Sequence, residues 1–248
     1  MSKIAKTYIA LVIASGTLVL LLAAGSWSSA NLKQFVIYLG LAALASTLKV
    51  RIPGMESTMS PNFVFLLLGM VALPFSQVVA VALMAALVQS LWASAKRPRL
   101  VQVAFSAAAL IISSSLAYKF AYLILAESTT GSRVVSVILA GSVYFPLNSI
   151  LVSMVVGLVE GQSLKQVSRR CYQWAFPCFV EGITLAALVS GAYPPSTLWK
   201  GALVLLPSMV LAFLYFFNRS ARAAVSPMTV PFSEEEKEFE SVGGTKLP

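Results

Sequence analysis

Residues able to carry acid, base or metal chemistry are scarce in this chain. Histidine is absent, which excludes imidazole catalysis and histidine-ligated metals. All nine acidic residues are Glu, and five of them crowd Glu234–Glu240, leaving Glu56, Glu127, Glu160 and Glu181 for the rest. Carboxylate-based metal chemistry is therefore not expected. Cys171 and Cys178 have six residues between them and no other ligand types nearby, so they are read as small residues at a membrane edge rather than a zinc or disulfide pair. No catalytic residue, metal site or cofactor is expected.

What remains is polar chemistry of the kind that binds. The stretch LKVRIPGMESTMSPNF, Leu48–Phe63, carries Arg51 and Glu56 as a candidate ion pair, then Ser60 as a candidate N-cap with Pro61 at the first helical position. Lowered into the protein, Ser60, Asn62 and the free N–H groups of the helix they open would suit a small polar or anionic ligand. The competing reading is a loop that only packs the second and third helices. Four more polar residues interrupt apolar runs: Gln89, Gln102, Asn148 and Glu181. Glu181 follows Pro177, which places it in the first turn of a helix, within reach of Arg169 or Arg170. Small residues recur at helical spacing at Gln102, Ser106, Ala109, Ser113 and Ala117, and again at Ser142, Pro146, Ser149, Ser153 and Gly157. These stripes predict close helix packing with hydrogen bonds across the seam.

The elements that must position these residues follow from the medium. Apolar residues make up 58% of the chain and charged residues 11%, against roughly 25% charged in soluble domains. Such a chain cannot cover itself with polar groups, so its main partner is membrane lipid. The net charge of +9 does not indicate nucleic acid, because the cations sit in short clusters beside apolar runs. Eight apolar segments follow one another: 8–24, 35–48, 63–73, 75–92, 101–126, 134–159, 179–192 and 198–217. The predicted fold is all-α, a polytopic transmembrane bundle over residues 1–222.

Residues 63–92 are either one kinked helix or a short hairpin about Pro74, and the cations decide between the two. With the hairpin and a cytoplasmic N-terminus, Lys3, Lys6, Lys49, Arg51, Lys96, Arg97, Arg99, Lys165, Arg169, Arg170, Arg219 and Arg222 lie inside, against Lys33, Arg133 and Lys200 outside. The single helix reverses every later loop and loses this bias. The hairpin is expected, with a cytoplasmic C-terminus. Lys119 falls in the outer third of its helix and is expected to snorkel outward. Residues 1–30 also have the look of a signal peptide ending at SWSSA, although 8–24 is long for one; a retained helix is expected, and seven helices otherwise. Residues 223–248, rich in Glu and with three Pro, predict a disordered acidic cytoplasmic tail.

The segments LKVRIPGMESTMSPNFVFLLLGM, KRPRLVQVAFSAA, VYFPLNSILVSMVVGLVEG and CYQWAFPCFVEG resemble the N-terminal multi-helix membrane domain of bacterial signalling proteins with a GGDEF or HD-type cyclic-dinucleotide output domain. That resemblance implies a sensory membrane domain in the bacterial inner membrane. Only 31 residues follow Phe217, so the output would pass through a separate cytoplasmic protein. A weaker similarity, over residues 52–92, is to the substrate-binding S components of energy-coupling-factor transporters, which implies solute uptake with an energising partner. A scaffold without ligand is the third expectation.

Overall fold

The computed structural model describes residues 2–51, 58–92, 98–125, 130–161 and 163–225. Among these are eight helices: α1 (Lys3–Gly25), α2 (Leu32–Thr47), α3 (Phe63–Ala72), α4 (Phe75–Leu91), α5 (Leu100–Leu125), α6 (Thr130–Glu160), α7 (Leu164–Ala192) and α8 (Leu198–Val225). Between α2 and α3 lie β1 (Val50–Arg51) and β2 (Thr58–Met59), a minimal antiparallel ladder pairing Val50 with Met59 and Arg51 with Thr58. The all-helical transmembrane-type fold is as expected. α1, α5, α6 and the 175–192 part of α7 are each long and apolar enough to cross a bilayer. A compact unit covers residues 1–210; α8 continues beyond it to Val225. The acidic segment from 226 onward lies outside the described residues.

Residues 63–92 form two helices. Leu73 (φ −119°, ψ 150°) and Pro74 (φ −66°, ψ 157°) are both extended, which breaks the helical ladder. The decisive contact is between Asn62 and Gln89, hydrogen-bonded at 3.2 Å across 27 residues. On one continuous helix they would stand about 40 Å apart. The chain therefore turns back at Pro74.

The helix α3 is the centre of the bundle. All ten of its residues are buried, as an all-apolar helix requires, and it touches α2, α4, α5, α6 and α7. Phe63 stacks on Phe179 of α7 with ring centroids 4.1 Å apart, and Phe179 in turn meets Phe145 of α6 at 4.4 Å. Gly182 of α7 allows this approach, because a Cβ there would overlap Phe63 and Val64. Gly141 of α6 admits Ile183 in the same way. The helix α1 crosses α5 where Gly16 meets Ala108, and the Tyr8 hydroxyl donates to the Leu151 carbonyl of α6 at 3.1 Å.

Contacts distant in sequence sort the connections into two ends. At one end Lys49 Nζ donates to the Trp92 carbonyl, and Tyr8 of α1 reaches the C-terminal half of α6. At the other, Gln34 Nε2 donates to the carbonyls of Pro195 and Ser196, while Lys33 and Lys200 flank the Trp199 ring. At this second end, Gln77 of α4 is fully buried. Its Nε2 donates to the carbonyls of Ser28 (2.9 Å) and Ala30 (2.6 Å), and Ser76 Oγ accepts from the Ser28 N–H at 3.3 Å. Backbone outside a helix needs such donors when it is covered by apolar surface. Phe75 pairs with Tyr118, which leaves the last seven residues of α5, about 10 Å, extending past the first turn of α4.

The structure corrects two expectations. First, α7 begins at Leu164 and passes through Pro177, so Glu181 is mid-helix and exposed rather than in a first turn. Twelve helical steps set Arg169 about 18 Å away along the axis, too far to pair, and the Arg170 side chain lies outside the described residues. Second, among the described residues the α5–α6 seam packs without the expected hydrogen bonds. Ser113 and Ser153 are buried with partnerless hydroxyls, while Ser142 and Gln102 are exposed. Lys119 is exposed, and its ammonium lies over the Phe75 ring at 5.4 Å.

Candidate functional site

Where α3 begins, α2, α3 and α4 converge on a buried polar cluster. Asn62, 3% exposed, donates from Nδ2 to Ser46 Oγ at 2.9 Å and to Gln89 Oε1 at 3.2 Å. Ser46, fully buried near the end of α2, donates to the Ala42 carbonyl at 2.7 Å. This back-bond fixes the hydroxyl so that its lone pairs face Asn62. Each helix contributes one residue, all within a turn or two of its end.

Ser60, 7% exposed, precedes this cluster, and its Oγ has no hydrogen-bond partner among the described residues. It is not the N-cap. The residue before α3 is Asn62, with helical dihedrals and no side-chain cap bond. The expected row of free N–H groups is also reduced: Val64 donates to the Pro61 carbonyl, and Phe65 and Leu66 both donate to that of Asn62. A tightened first turn thus satisfies its own donors. Any ligand here would be met by side chains more than by backbone.

Lys49 lies at the same end, its ammonium on the carbonyl that closes α4, where the helix dipole is negative. Partial burial lowers its pKa from the ordinary lysine value. Arg51 is held by the β1–β2 ladder, but its side chain and the whole of Glu56 lie outside the described residues.

The other three candidates do not join the cluster. Gln102 accepts from the Arg99 N–H at 2.9 Å, closing the first turn of α5 at its exposed end. Asn148 is half-buried on α6 with Oδ1 unpartnered, and Glu181 faces outward from α7. Neither is hydrogen-bonded to Asn62, Ser46 or Gln89. Cys178 is a free, half-buried thiol, and the Cys171 side chain lies outside the described residues. Among the described residues no three metal-ligating side chains come together.

Sequence reasoning picked out Asn62, Gln89 and Ser60 but missed Ser46 and Gln77. Ser46 sits in AALAST and looks like a small packing residue. Gln77 could have been noticed as an amide inside an apolar run, like Gln89. No family model, curated protein or solved structure matches this chain.

Proposed function

We propose that this chain is a multi-pass protein of the bacterial inner membrane that binds a small polar or anionic ligand where α3 begins, and that it acts as a sensory membrane domain without catalytic output of its own. The observation that carries the reading is Ser60: a buried hydroxyl with no partner among the described residues, beside an amide–hydroxyl cluster built from three helices. A buried hydroxyl left unbonded costs roughly 1–3 kcal/mol, which a ligand atom would recover. Lys49, and Arg51 on the neighbouring ladder, bring positive charge to the same end. By the bias of cations this end is cytoplasmic. The signal would then pass to a separate cytoplasmic protein or through the segment after α8.

The test is a melting-temperature screen of the detergent-solubilised chain against anions and polar metabolites, run on wild type and Ser60→Ala. Without ligand, Ser60→Ala should melt at the wild-type temperature or above it, because it removes an unsatisfied group. With a ligand that stabilises the wild type, it should bind about 3–10-fold more weakly, the worth of one hydrogen bond. Equal binding by Ser60→Ala, or no compound that shifts the wild type, refutes the reading. Net flux of the same compound into proteoliposomes with an energising partner would place the chain as an uptake subunit instead.

A further inference from the structure

The β1–β2 ladder pairs Val50 with Met59 and Arg51 with Thr58. Carried one residue further toward α2 and α3, the same register sets Lys49 opposite Ser60. Directly opposed residues of an antiparallel pair share a face, with Cβ atoms about 5 Å apart. Contacts with α4 converge on the same place. Asn62, two residues after Ser60, donates to Gln89, and Lys49 Nζ donates to the Trp92 carbonyl, one turn further along. Ser60 and the Lys49 ammonium thus meet beside the last turn of α4. Resting on the ligand site proposed for the start of α3, we infer that its ligand is an oxyanion, a phosphate or carboxylate group held between the Lys49 ammonium and the Ser60 hydroxyl.

The balance of donors and acceptors selects the charge. Ser46 Oγ and Gln89 Oε1 each take an N–H from Asn62, which uses both Nδ2 hydrogens, and the Trp92 carbonyl takes one from Lys49. The N–H groups of Val64, Phe65 and Leu66 are used on the carbonyls of Pro61 and Asn62. An ammonium has three donors, and among the described residues Lys49 uses one. Ser60, 7% exposed, keeps its O–H. The hydrogens left over therefore belong to an ammonium and a buried hydroxyl.

A neutral ligand would leave the half-buried ammonium facing only a carbonyl dipole. An oxyanion brings the opposite charge, and charge-assisted hydrogen bonds are roughly twice as strong as neutral ones. The Trp92 carbonyl already holds the Lys49 side chain, so less rotamer freedom is lost when the anion arrives. Lys49 is then the residue that sets anion over neutral solute, and Ser60 the one that places it.

The experiment follows the melting temperature of the detergent-solubilised full chain at constant ionic strength. Its probes are inorganic phosphate, sulfate and acetate, phosphatidylglycerol added to the micelles, and glycerol as a neutral control. At least one of the four anionic probes should stabilise wild type saturably, and glycerol should not. Protection by a free anion assigns a soluble ligand and protection by the lipid alone a headgroup phosphate; either supports the oxyanion class. Lys49→Met should bind the active probe at least tenfold more weakly, and Lys49→Arg, which keeps the charge, within about threefold of wild type. Equal binding by Lys49→Met overturns the inference. A neutral compound that stabilises wild type, weakens in Ser60→Ala and binds Lys49→Met unchanged also overturns it, while leaving the ligand site itself standing. No shift by any compound, charged or neutral, removes both. Wild type alone gives a readout independent of folding in the variants. In lysine acylation followed by mass spectrometry, the active probe should slow modification of Lys49 at least fivefold relative to Lys33 and Lys200, which are exposed at the other end. Equal rates at all three with and without the probe overturn the inference.

Discussion

Gln77 offers the sharpest test of how the bundle is closed at its second end. In Gln77→Leu the carbonyls of Ser28 and Ala30 lose their shared donor. Ala30 is exposed and can turn to water, so the loss falls mainly on Ser28. Two bonds at roughly 0.5–1.5 kcal/mol each, plus part of an unsatisfied-carbonyl penalty, come to about 2–4 kcal/mol. Removing Gln77 Oε1, which is buried without a partner, returns roughly 1 kcal/mol. The net cost is about 1–3 kcal/mol, or a fall of about 2–12 °C in melting temperature for a chain of this size. Gln77→Glu adds a pH signature. Facing two carbonyls in an apolar site, the new carboxyl must stay protonated, so its folded pKa is raised above the unfolded ~4.3. The folded state then binds more protons than the unfolded one, and stability falls as pH rises from about 4.3 to the folded pKa. Tryptophan-fluorescence melts in detergent should show Gln77→Glu less stable at pH 8 than at pH 5, relative to wild type at each pH. Gln77→Leu melting with wild type, or Gln77→Glu showing no such pH dependence, would refute the role given to these bonds.

Gly182→Val should destabilise by about 1–3 kcal/mol or more, because its Cβ meets Phe63 and Val64 in the fully buried centre; the same melts measure it, with Gly40→Val, where a Cβ meets nothing, as control. Asn62→Leu takes the shared donor away from Ser46 Oγ and Gln89 Oε1 and should cost about 1–3 kcal/mol, while Ser46→Ala should cost less because Asn62 keeps Gln89. Deleting residues 2–30 removes the Gly16–Ala108 crossing, the Tyr8–Leu151 bond and both Gln77 acceptors; monodisperse chain in detergent should fall at least fivefold by size exclusion. Alkaline phosphatase fused after Thr130 should be active, and after Ala95, Gln166 or Ala221 inactive, since the hairpin at Pro74 puts these positions on opposite faces.

The helices were legible because each apolar run is settled by its own transfer into lipid, a sum over neighbouring residues that needs no knowledge of the rest of the chain. The turn at Pro74 was legible for a related reason: cations carry the bias of the two membrane faces, and only one path through residues 63–92 keeps them together. Helix ends were less so. The helix through Pro177 starts fifteen residues before the apolar run at Phe179, because a basic, polar stretch can be helical without being hydrophobic. That extension moved Glu181 from a helix end to an exposed mid-helix position.

Only the tertiary structure decided which polar residues meet. Asn62 finds Ser46 and Gln89 at 16 and 27 residues' distance, and Gln77 finds Ser28 and Ala30 across nearly 50. A hydropathy pattern scores each amide alone as a cost, but the partner that offsets the cost lies on another helix. The sequence alone thus determines that this chain carries helices long and apolar enough to cross a membrane and that it turns back at Pro74. Which side chains face one another depends on how the threaded helices turn and settle, through close approaches such as Gly182 on Phe63, and no single segment encodes that.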